Sequence, residues 1–243
     1  MQGETVLITG GAKRLGRATA LTLAKSGFDI VVHYNESREE AESLVDELGA
    51  LGISACAIQA TLSDADSCAE LLESCRDAAG DIHHLVNNAA IFPSDTLDEL
   101  SMAFLESNLS INTMVPFLLS KGLRDAGSLR SVVHLLDTRI TDYDAKHVSY
   151  HLSKRALMSL ISMMALEWAP EVRVNAVAPG LILPPEGEEE DYLQALAHTN
   201  PLQAVGDAQD IADTVLFLLN SHFITGQIIY VDGGRHLKGR VYE

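Results

Sequence analysis

Short runs of apolar, mostly β-branched residues alternate along the chain with longer segments in which apolar residues recur every three or four positions. The short runs predict buried strands, and the longer segments predict amphipathic helices. The predicted strands are 5–8, 30–32, 54–58, 84–86, 131–136, 172–177 and 228–231. The predicted helices are 15–25, 38–51, a segment capped by Ser63 or Asp64 that ends near Ala79, 100–126, 147–169 and about 207–219.

This alternation predicts a parallel sheet with helices on both faces, because parallel neighbours need crossover connections. We therefore expect an α/β fold in which a single doubly wound, Rossmann-type domain over 1–243 contains a central seven-stranded parallel sheet. The longest irregular stretch, 181–206, is expected to be a substrate-loop insertion. Its acidic run at 186–191 is either a solvated loop or a lid over the carboxyl ends of the strands.

Composition adds information mainly through charge. The 243 residues include 17 Lys and Arg against 34 Asp and Glu, and the net charge of −17 argues against nucleic acids and anionic membranes as main partners. No apolar run reaches the roughly 18 residues of a spanning helix, and the first residues lack the layout of an export signal, so we expect a cytoplasmic protein. Cys56, Cys68 and Cys75 indicate neither a disulfide framework nor a zinc site, and Cys68 and Cys75 are expected to be core residues.

A glycine-rich turn at 9–16 follows the first predicted strand and opens the first predicted helix. Glycines there let the backbone turn tightly and let a diphosphate approach the helix N-terminus. An ordinary tight turn is the simpler interpretation, but the placement between strand and helix favours a dinucleotide site. The Gly-Lys pair of a triphosphate-binding loop is missing.

Four motifs together resemble the short-chain dehydrogenase/reductases over nearly the whole chain. They are the glycine turn, Asn87-Asn88-Ala89-Ala90, Tyr150-x-x-x-Lys154 and Pro179-Gly180. The resemblance implies an NAD(P)-dependent enzyme that assembles as a homotetramer through its last strand and two long helices. The coenzyme-binding positions it implies are Gly10, Lys13, Arg14, Leu15, Gly16, Tyr34, Asn35, Ser37, Thr61, Leu62, Asn88, Ala89, Tyr150, Lys154, Pro179 and Gly180.

The charges beside the glycine turn favour NADPH over NADH. Lys13 and Arg14 suit the additional 2′-phosphate, and no acidic residue stands at the tip of the second predicted strand to hold a free ribose hydroxyl. Two positions depart from the family pattern. Glu36 stands where the similar pteridine reductases have a basic residue, for which Arg38 is a substitute, and Thr61 stands where the family has an Asp that holds the adenine.

Tyr150 and Lys154 lie four residues apart, on one face of a predicted helix. We expect the neighbouring ammonium to lower the pKa of the phenol from about 10, so that Tyr150 exchanges a proton next to the carbon that receives hydride. Without the glycine turn, an ordinary surface pair would be the better interpretation. By the family resemblance Asn112 belongs to the catalytic set, holding a water that links Lys154 to solvent, with Asn108 as the competing register.

Asp137 stands where the family ordinarily has a Ser, thirteen residues before Tyr150, and Thr138 is the nearby hydroxyl. In this the chain resembles the pteridine reductases, including the bacterial dihydromonapterin reductases. That resemblance makes Arg14, Phe92, Asp137 and Tyr150 the substrate-binding residues, with Phe92 stacking on a pterin ring, although core packing is the alternative for Phe92. We therefore expect NADPH-dependent reduction of a dihydropterin, of dihydromonapterin or dihydrofolate type, to the tetrahydropterin.

Two other functions remain open from the sequence. One is a carbonyl reductase of 3-oxoacyl thioesters, and the other is a dinucleotide-binding sensor without turnover. A metal site is not expected. His147 and His151 have the spacing of a helical metal pair, but the sequence places no third ligand beside them, so a position at a pocket edge or a subunit contact is the expected role.

Overall fold

The computed structural model describes residues 3–143, 145–185, 187 and 190–238. Its centre is one parallel sheet of seven strands in the order β3-β2-β1-β4-β5-β6-β7, which confirms the predicted fold class. The strands are β1 (Thr5–Ile8), β2 (Asp29–Tyr34), β3 (Ala55–Gln59), β4 (His84–Asn87), β5 (Ser131–Leu135), β6 (Arg173–Pro179) and β7 (Ile228–Val231).

Apolar side chains from both faces of the sheet form two cores. One core packs Leu7, Leu85 and Val132 against the helices of one face, and the other packs Ile8 and Val133 against those of the opposite face. Strands β1, β4 and β5 are buried at every position, and β6 is buried except at its two ends, which is why their sequences are mainly apolar instead of alternating.

The helices of the described residues are α1 (Arg14–Lys25), α2 (Arg38–Ala50), α3 (Ala65–Ala79), α4 (Met102–Leu109), α5 (Val115–Ala126), α6 (Val148–Glu167), α7 (Glu190–Leu196), α8 (Ala208–Asn220) and α9 (Arg235–Lys238). Seven of them lie within or close to predicted helices, whereas the short helices α7 and α9 were not predicted. Asp64 caps α3 by accepting from the Ser67 main-chain N–H at 2.9 Å. Cys68 and Cys75 of α3 are buried in the core, as predicted.

The predicted helix at 100–126 is interrupted in the middle. A single π-helical turn, Ser110–Met114, separates α4 from α5. Pro116 is the second residue of α5 and has no N–H to donate to the carbonyl four residues earlier, so the regular hydrogen-bond ladder fails at this place. The wider turn holds Asn112 in the protein interior.

The segment 181–206 is not entirely irregular. It contains α7 and a 3₁₀ turn, Ala197–Thr199. The predicted acidic lid falls largely on Glu186, Glu188 and Glu189, which lie outside the described residues. Within the described part of the chain, no helix combines the length and the apolar character needed to cross a bilayer.

Candidate active site

The predicted site residues lie at the carboxyl ends of the parallel strands. The order of strands reverses between β1 and β4, because β1 leads outward to β2 and β3 while β4 leads to β5, β6 and β7. Loops diverge at such a switch point and leave a crevice, which is where open α/β sheets bind their ligands. The glycine turn follows β1, and Asn88 follows β4, so both border this crevice.

The glycine turn fits a dinucleotide diphosphate. Gly10 has φ +60°, a left-handed conformation that favours glycine, and a Cβ on Gly16 would collide with the carbonyl oxygen of Gly10. Helix α1, which starts here, has neither a side-chain cap nor an acidic residue in its first turn, whereas Asp64 caps α3. Its first N–H groups and the helix dipole are therefore suited to an anion.

Thr9 and Asn88 join the turn to the end of β4. The Thr9 hydroxyl oxygen accepts the main-chain N–H groups of Asn88 and Ala89, each at 3.0 Å. The Asn88 amide in turn donates to the carbonyl oxygens of Thr9 at 3.0 Å and Gly10 at 2.9 Å. The Asn88 side chain thus fixes the backbone of the glycine turn, a role that the sequence motif did not specify.

His33 is a buried member of the site that the sequence analysis missed. The Gly10 N–H donates to His33 Nδ1 at 3.1 Å, and His33 Nε2 lies 3.0 Å from the carbonyl oxygen of Ala60. Burial lowers the pKa of the imidazole, although the bond to Ala60 acts in the opposite direction. The sequence showed only a histidine at the end of a strand, because its partners lie 23 and 27 residues away.

The two cations of the turn point to different parts of the site. Lys13 lies 3.5 Å from Glu40 of α2, on the side of the crevice next to β2. Arg14 has φ +54° and donates through Nη2 to the carbonyl oxygen of Pro184 at 2.5 Å, on the side of the segment after β6. Arg38, the predicted substitute cation, is paired with Glu42 at 2.9 Å.

The rim of the site after β2 and β3 brings together the residues predicted to face the adenosine. The Thr61 hydroxyl donates to Asn35 Oδ1 at 2.7 Å, so the two polar side chains form one surface. Tyr34 and Leu62 are buried beneath them, and Ser37 precedes α2 without a side-chain capping bond. Pro179 and Gly180 close the opposite side at the end of β6, where the Gly180 N–H donates to the Val231 carbonyl.

Tyr150 and Asp137 meet in the centre of the crevice. The Tyr150 hydroxyl donates to Asp137 Oδ2 at 3.0 Å, while Asp137 Oδ1 accepts the N–H of Arg139 at 2.8 Å. The expectation of a more acidic phenol is wrong for this arrangement. Burial and the adjacent Asp137 carboxylate raise the pKa of Tyr150 well above 10.0, because both disfavour a second negative charge.

Lys154 lies one helical turn from Tyr150 and is also buried. Its ammonium is 5.6 Å from the centre of the Tyr150 ring and donates to the carbonyl oxygen of Leu135 at 2.7 Å. Burial lowers the pKa of Lys154 to about 8, although the Asp137 carboxylate acts in the opposite direction. The ammonium is therefore held by the end of β5 and does not offset the effect of Asp137 on the phenol.

Asn112, in the π-helical turn, fixes the loop that follows β4. Its amide donates to the Ile91 carbonyl and its oxygen accepts the Ile91 N–H, both at 2.9 Å. It also donates to Ser153 Oγ of α6 at 3.1 Å. Asn108, the alternative register, accepts from the Asn112 amide at 3.4 Å and lies one turn further from this loop.

Phe92 is partly exposed at the mouth of the crevice, next to Tyr150. The two rings meet edge to face with their centroids 4.6 Å apart, and the imidazole of His147 stacks on Phe92 at 4.0 Å. The side chain thus belongs to the site and not to the core. Within the residues that the structure describes, no group of three or more His, Cys, Asp or Glu side chains forms a metal site, and His147 and His151 bring no third ligand.

Two buried carboxylates support the site without having been predicted. Asp95 accepts the N–H of Ser149 with both oxygens at 3.1 Å and the Ser149 hydroxyl at 2.5 Å, which fixes the start of α6. Asp232 accepts the Thr138 hydroxyl at 2.6 Å, beside Asp137. Asp95 and Ser149 are more than 50 residues apart in the sequence, and so are Asp232 and Thr138. No local sequence pattern therefore indicates either contact.

Comparisons with known proteins identify the family of the chain. A family model described as enoyl-(acyl carrier protein) reductase matches residues 10–236. The chain is 31% identical to a 3-oxoacyl-[acyl-carrier-protein] reductase FabG of Staphylococcus epidermidis, covering 96% of this chain and 99% of the relative. It is 30% identical to a dihydromonapterin reductase of Citrobacter koseri, covering 96% and 97%.

A solved structure is similar to this chain over nearly its whole length. FolM alternative dihydrofolate reductase 1 from Brucella suis, solved in complex with NADP, superposes with a TM-score of 0.91 at 34% identity, covering 96% of this chain and 95% of that one. Because one family model spans nearly the whole chain and these relatives align from end to end, the chain belongs to the short-chain dehydrogenase/reductase family of oxidoreductases.

Proposed function

We propose that this protein is an NADPH-dependent reductase that converts a dihydropterin of dihydromonapterin or dihydrofolate type to the tetrahydropterin. The observation that carries the proposal is the 3.0 Å contact between the Tyr150 hydroxyl and the Asp137 carboxylate, at the edge of the Phe92 ring. Relatives and solved structures named for dihydromonapterin reduction and for alternative dihydrofolate reduction support it.

Most coenzyme contacts in this proposal come from the first half of the chain. The N-terminus of α1 holds the diphosphate, Lys13 neutralises the 2′-phosphate, and the rim formed by Asn35 and Thr61 faces the adenosine. A phosphate bound here competes with Glu40 for Lys13. When bound, the reduced nicotinamide supplies the hydride.

The substrate groups divide their tasks. Phe92 offers a flat apolar surface to a heterocycle, and Arg14, on the side next to the segment after β6, offers a cation to its polar edge. The high pKa of Tyr150 keeps the phenol protonated at neutral pH, so the Tyr150–Asp137 pair holds one proton for a ring nitrogen. Lys154 lies beside the pair, and the Asp137 carboxylate favours the charged form of its ammonium.

Reduction of a 3-oxoacyl thioester is the second candidate, because FabG relatives are as similar as the pterin reductases. The two functions separate in one assay, in which NADPH oxidation is measured with dihydromonapterin, dihydrofolate and an acetoacetyl thioester. We expect turnover with the pterins, and preference for the thioester would contradict the proposal. Binding of NADPH without turnover of any of the three would indicate the sensor.

Asp137→Ser is the matched variant for this assay, since serine is the residue ordinarily found in the family at this position. We expect it to lower pterin turnover without lowering any residual thioester turnover. We also propose that the chain forms a homotetramer.

A further inference from the structure

We propose that His33 is a positioning residue for the coenzyme: its neutral imidazole fixes the glycine turn and joins it to the adenosine rim. The inference rests on the proposed dinucleotide site. His33 lies at the end of β2, 3% exposed, and both ring nitrogens are within hydrogen-bond distance of main-chain groups that flank this site.

The chemistry of the two partners determines which nitrogen carries the proton. The Gly10 N–H can only donate, so His33 Nδ1 must be the unprotonated acceptor of this 3.1 Å bond. The Ala60 carbonyl oxygen can only accept, so Nε2 carries the proton of the 3.0 Å bond. The carbonyl oxygen of His33 also accepts the Gly11 N–H at 2.9 Å, so two successive glycines of the turn are held by one residue.

This anchoring affects the part of the turn that faces a diphosphate. Fixing the Gly10 N–H fixes the peptide plane between Thr9 and Gly10. This matters because Gly10 is in the left-handed region, and a glycine can readily change to other backbone conformations. On the other side, Ala60 directly precedes Thr61, whose hydroxyl bonds to Asn35. One buried side chain therefore sets the spacing between the diphosphate turn and the adenosine rim.

Two substitutions separate the two bonds of the imidazole. His33→Asn places an amide oxygen at the position of Nδ1 and keeps an acceptor for Gly10. His33→Gln places an amide nitrogen near Nε2, so it keeps the donor for Ala60 and leaves the Gly10 N–H unsatisfied. An unsatisfied buried donor costs roughly 1–3 kcal/mol, which corresponds to about 5- to 150-fold in an equilibrium constant.

The test measures the NADPH dissociation constant by fluorescence titration, together with KM, kcat and the thermal midpoint of unfolding. For His33→Gln we expect the dissociation constant and KM for NADPH to rise about tenfold or more, with kcat at saturation within about threefold. For His33→Asn we expect both to stay within about threefold of the unaltered protein. Equal effects of the two substitutions on NADPH affinity would overturn the inference.

His84→Gln is the matched control, because His84 is a buried histidine at the amino end of β4, bonded to Glu4 at 3.0 Å and remote from the crevice. We expect it to lower the thermal midpoint, because the edge-to-face contact of the His84 ring with Phe28 is lost, without changing NADPH affinity. An equal loss of affinity would overturn the inference. Nitrogen NMR of the unaltered protein gives a readout that needs no variant. It should show His33 protonated at Nε2, and a proton at Nδ1 would also overturn the inference. If the unaltered protein binds no NADPH, the proposed function itself fails, a result distinct from all of these.

Discussion

At the scale of single residues, the proposal depends first on the phenol of Tyr150. Replacing Tyr150 by Phe removes the proton but keeps the ring against Phe92. We expect the rate of pterin reduction to fall at least ~100-fold, the lower range for general acid catalysis, while NADPH binding persists. Steady-state rates and a fluorescence titration of NADPH check this.

Tyr143→Phe is the control for this substitution, because Tyr143 is an exposed tyrosine whose ring lies under the Arg155 guanidinium. Its rate should match that of the unaltered protein. Turnover of Tyr150→Phe at the unaltered rate would remove this residue from the mechanism.

The second prediction at this scale concerns the cause of the high pKa of Tyr150. Asp137→Asn removes the carboxylate charge, so the pKa of Tyr150 should fall, but it should remain above 10.0 because burial continues to disfavour the phenolate. Tyrosinate absorbance followed against pH, with Tyr150→Phe as the baseline, measures the difference. An unchanged or higher pKa in Asp137→Asn would show that the carboxylate is not a cause.

The direction of this pKa was not predictable from the sequence. The spacing of Tyr150 and Lys154 correctly placed both side chains on one helix face, and it suggested that the ammonium would dominate. Which charge lies nearer depends on three-dimensional packing: Asp137 accepts a hydrogen bond from the phenol, whereas the Lys154 ammonium donates to the carbonyl oxygen of Leu135.

At the scale of elements, the apolar pattern predicted all seven strands to within two residues and most helices nearly as closely, but it predicted neither α7 nor α9. The pattern failed where a side-chain contact determines the backbone conformation. The π-helical turn exists because Pro116 interrupts the ladder and Asn112 bonds to Ile91, which a periodicity of apolar residues cannot show. The contact of Asp95 with the start of α6 was likewise not predictable from the sequence, because its partner Ser149 is 54 residues away.

Asp95 gives the prediction for an element. Asp95→Ala removes the acceptor for the Ser149 N–H and hydroxyl at the start of α6, the helix that carries Tyr150. We expect a loss of about 1–3 kcal/mol in the free energy of unfolding and a lower rate of pterin reduction. Urea unfolding and steady-state kinetics check the two parts.

Asp64→Ala is the matched control, because Asp64 likewise accepts the N–H of a residue in the first turn of a helix, but that helix, α3, carries neither Tyr150 nor Lys154. It should affect stability without lowering kcat. An equal loss of rate in both variants would show that Asp95 acts only through global stability.

At the scale of the whole molecule, the surface bears on the proposed homotetramer. Leu152, Met163 and Leu166 are exposed along one face of α6, and Phe217 is exposed on α8. β7 is one of the two edge strands of the sheet, and an edge strand offers unpaired backbone groups to a partner. Light scattering after size-exclusion chromatography should give about four times the mass of one chain, and a monomeric mass would contradict this proposal.

The buried histidines make stability depend on pH. Burial, together with the nearby Lys154 ammonium, lowers the pKa of His134 to about 3, whereas an unfolded histidine titrates near 6.5. Between these values the unfolded chain binds a proton at this histidine and the folded protein does not. The stability that neutral His134 contributes is therefore fully present above pH 6.5 and is lost progressively as the pH falls toward 3. His33 and His84, whose pKa values burial also lowers, act in the same direction.

For His134 alone the loss amounts to about 2 kcal/mol at pH 5 relative to neutral pH. Many carboxylates also titrate in acid, so the informative quantity is the difference between the unaltered protein and His134→Leu. This variant loses one of the acceptors of the Asn87 amide, a 3.3 Å contact, and should be less stable at pH 7. Between pH 7 and 5, however, its free energy of unfolding in urea should decline less, because the proton uptake of one histidine is gone. Equal declines in the two proteins would mean that His134 is charged in the folded state or protonates without a cost.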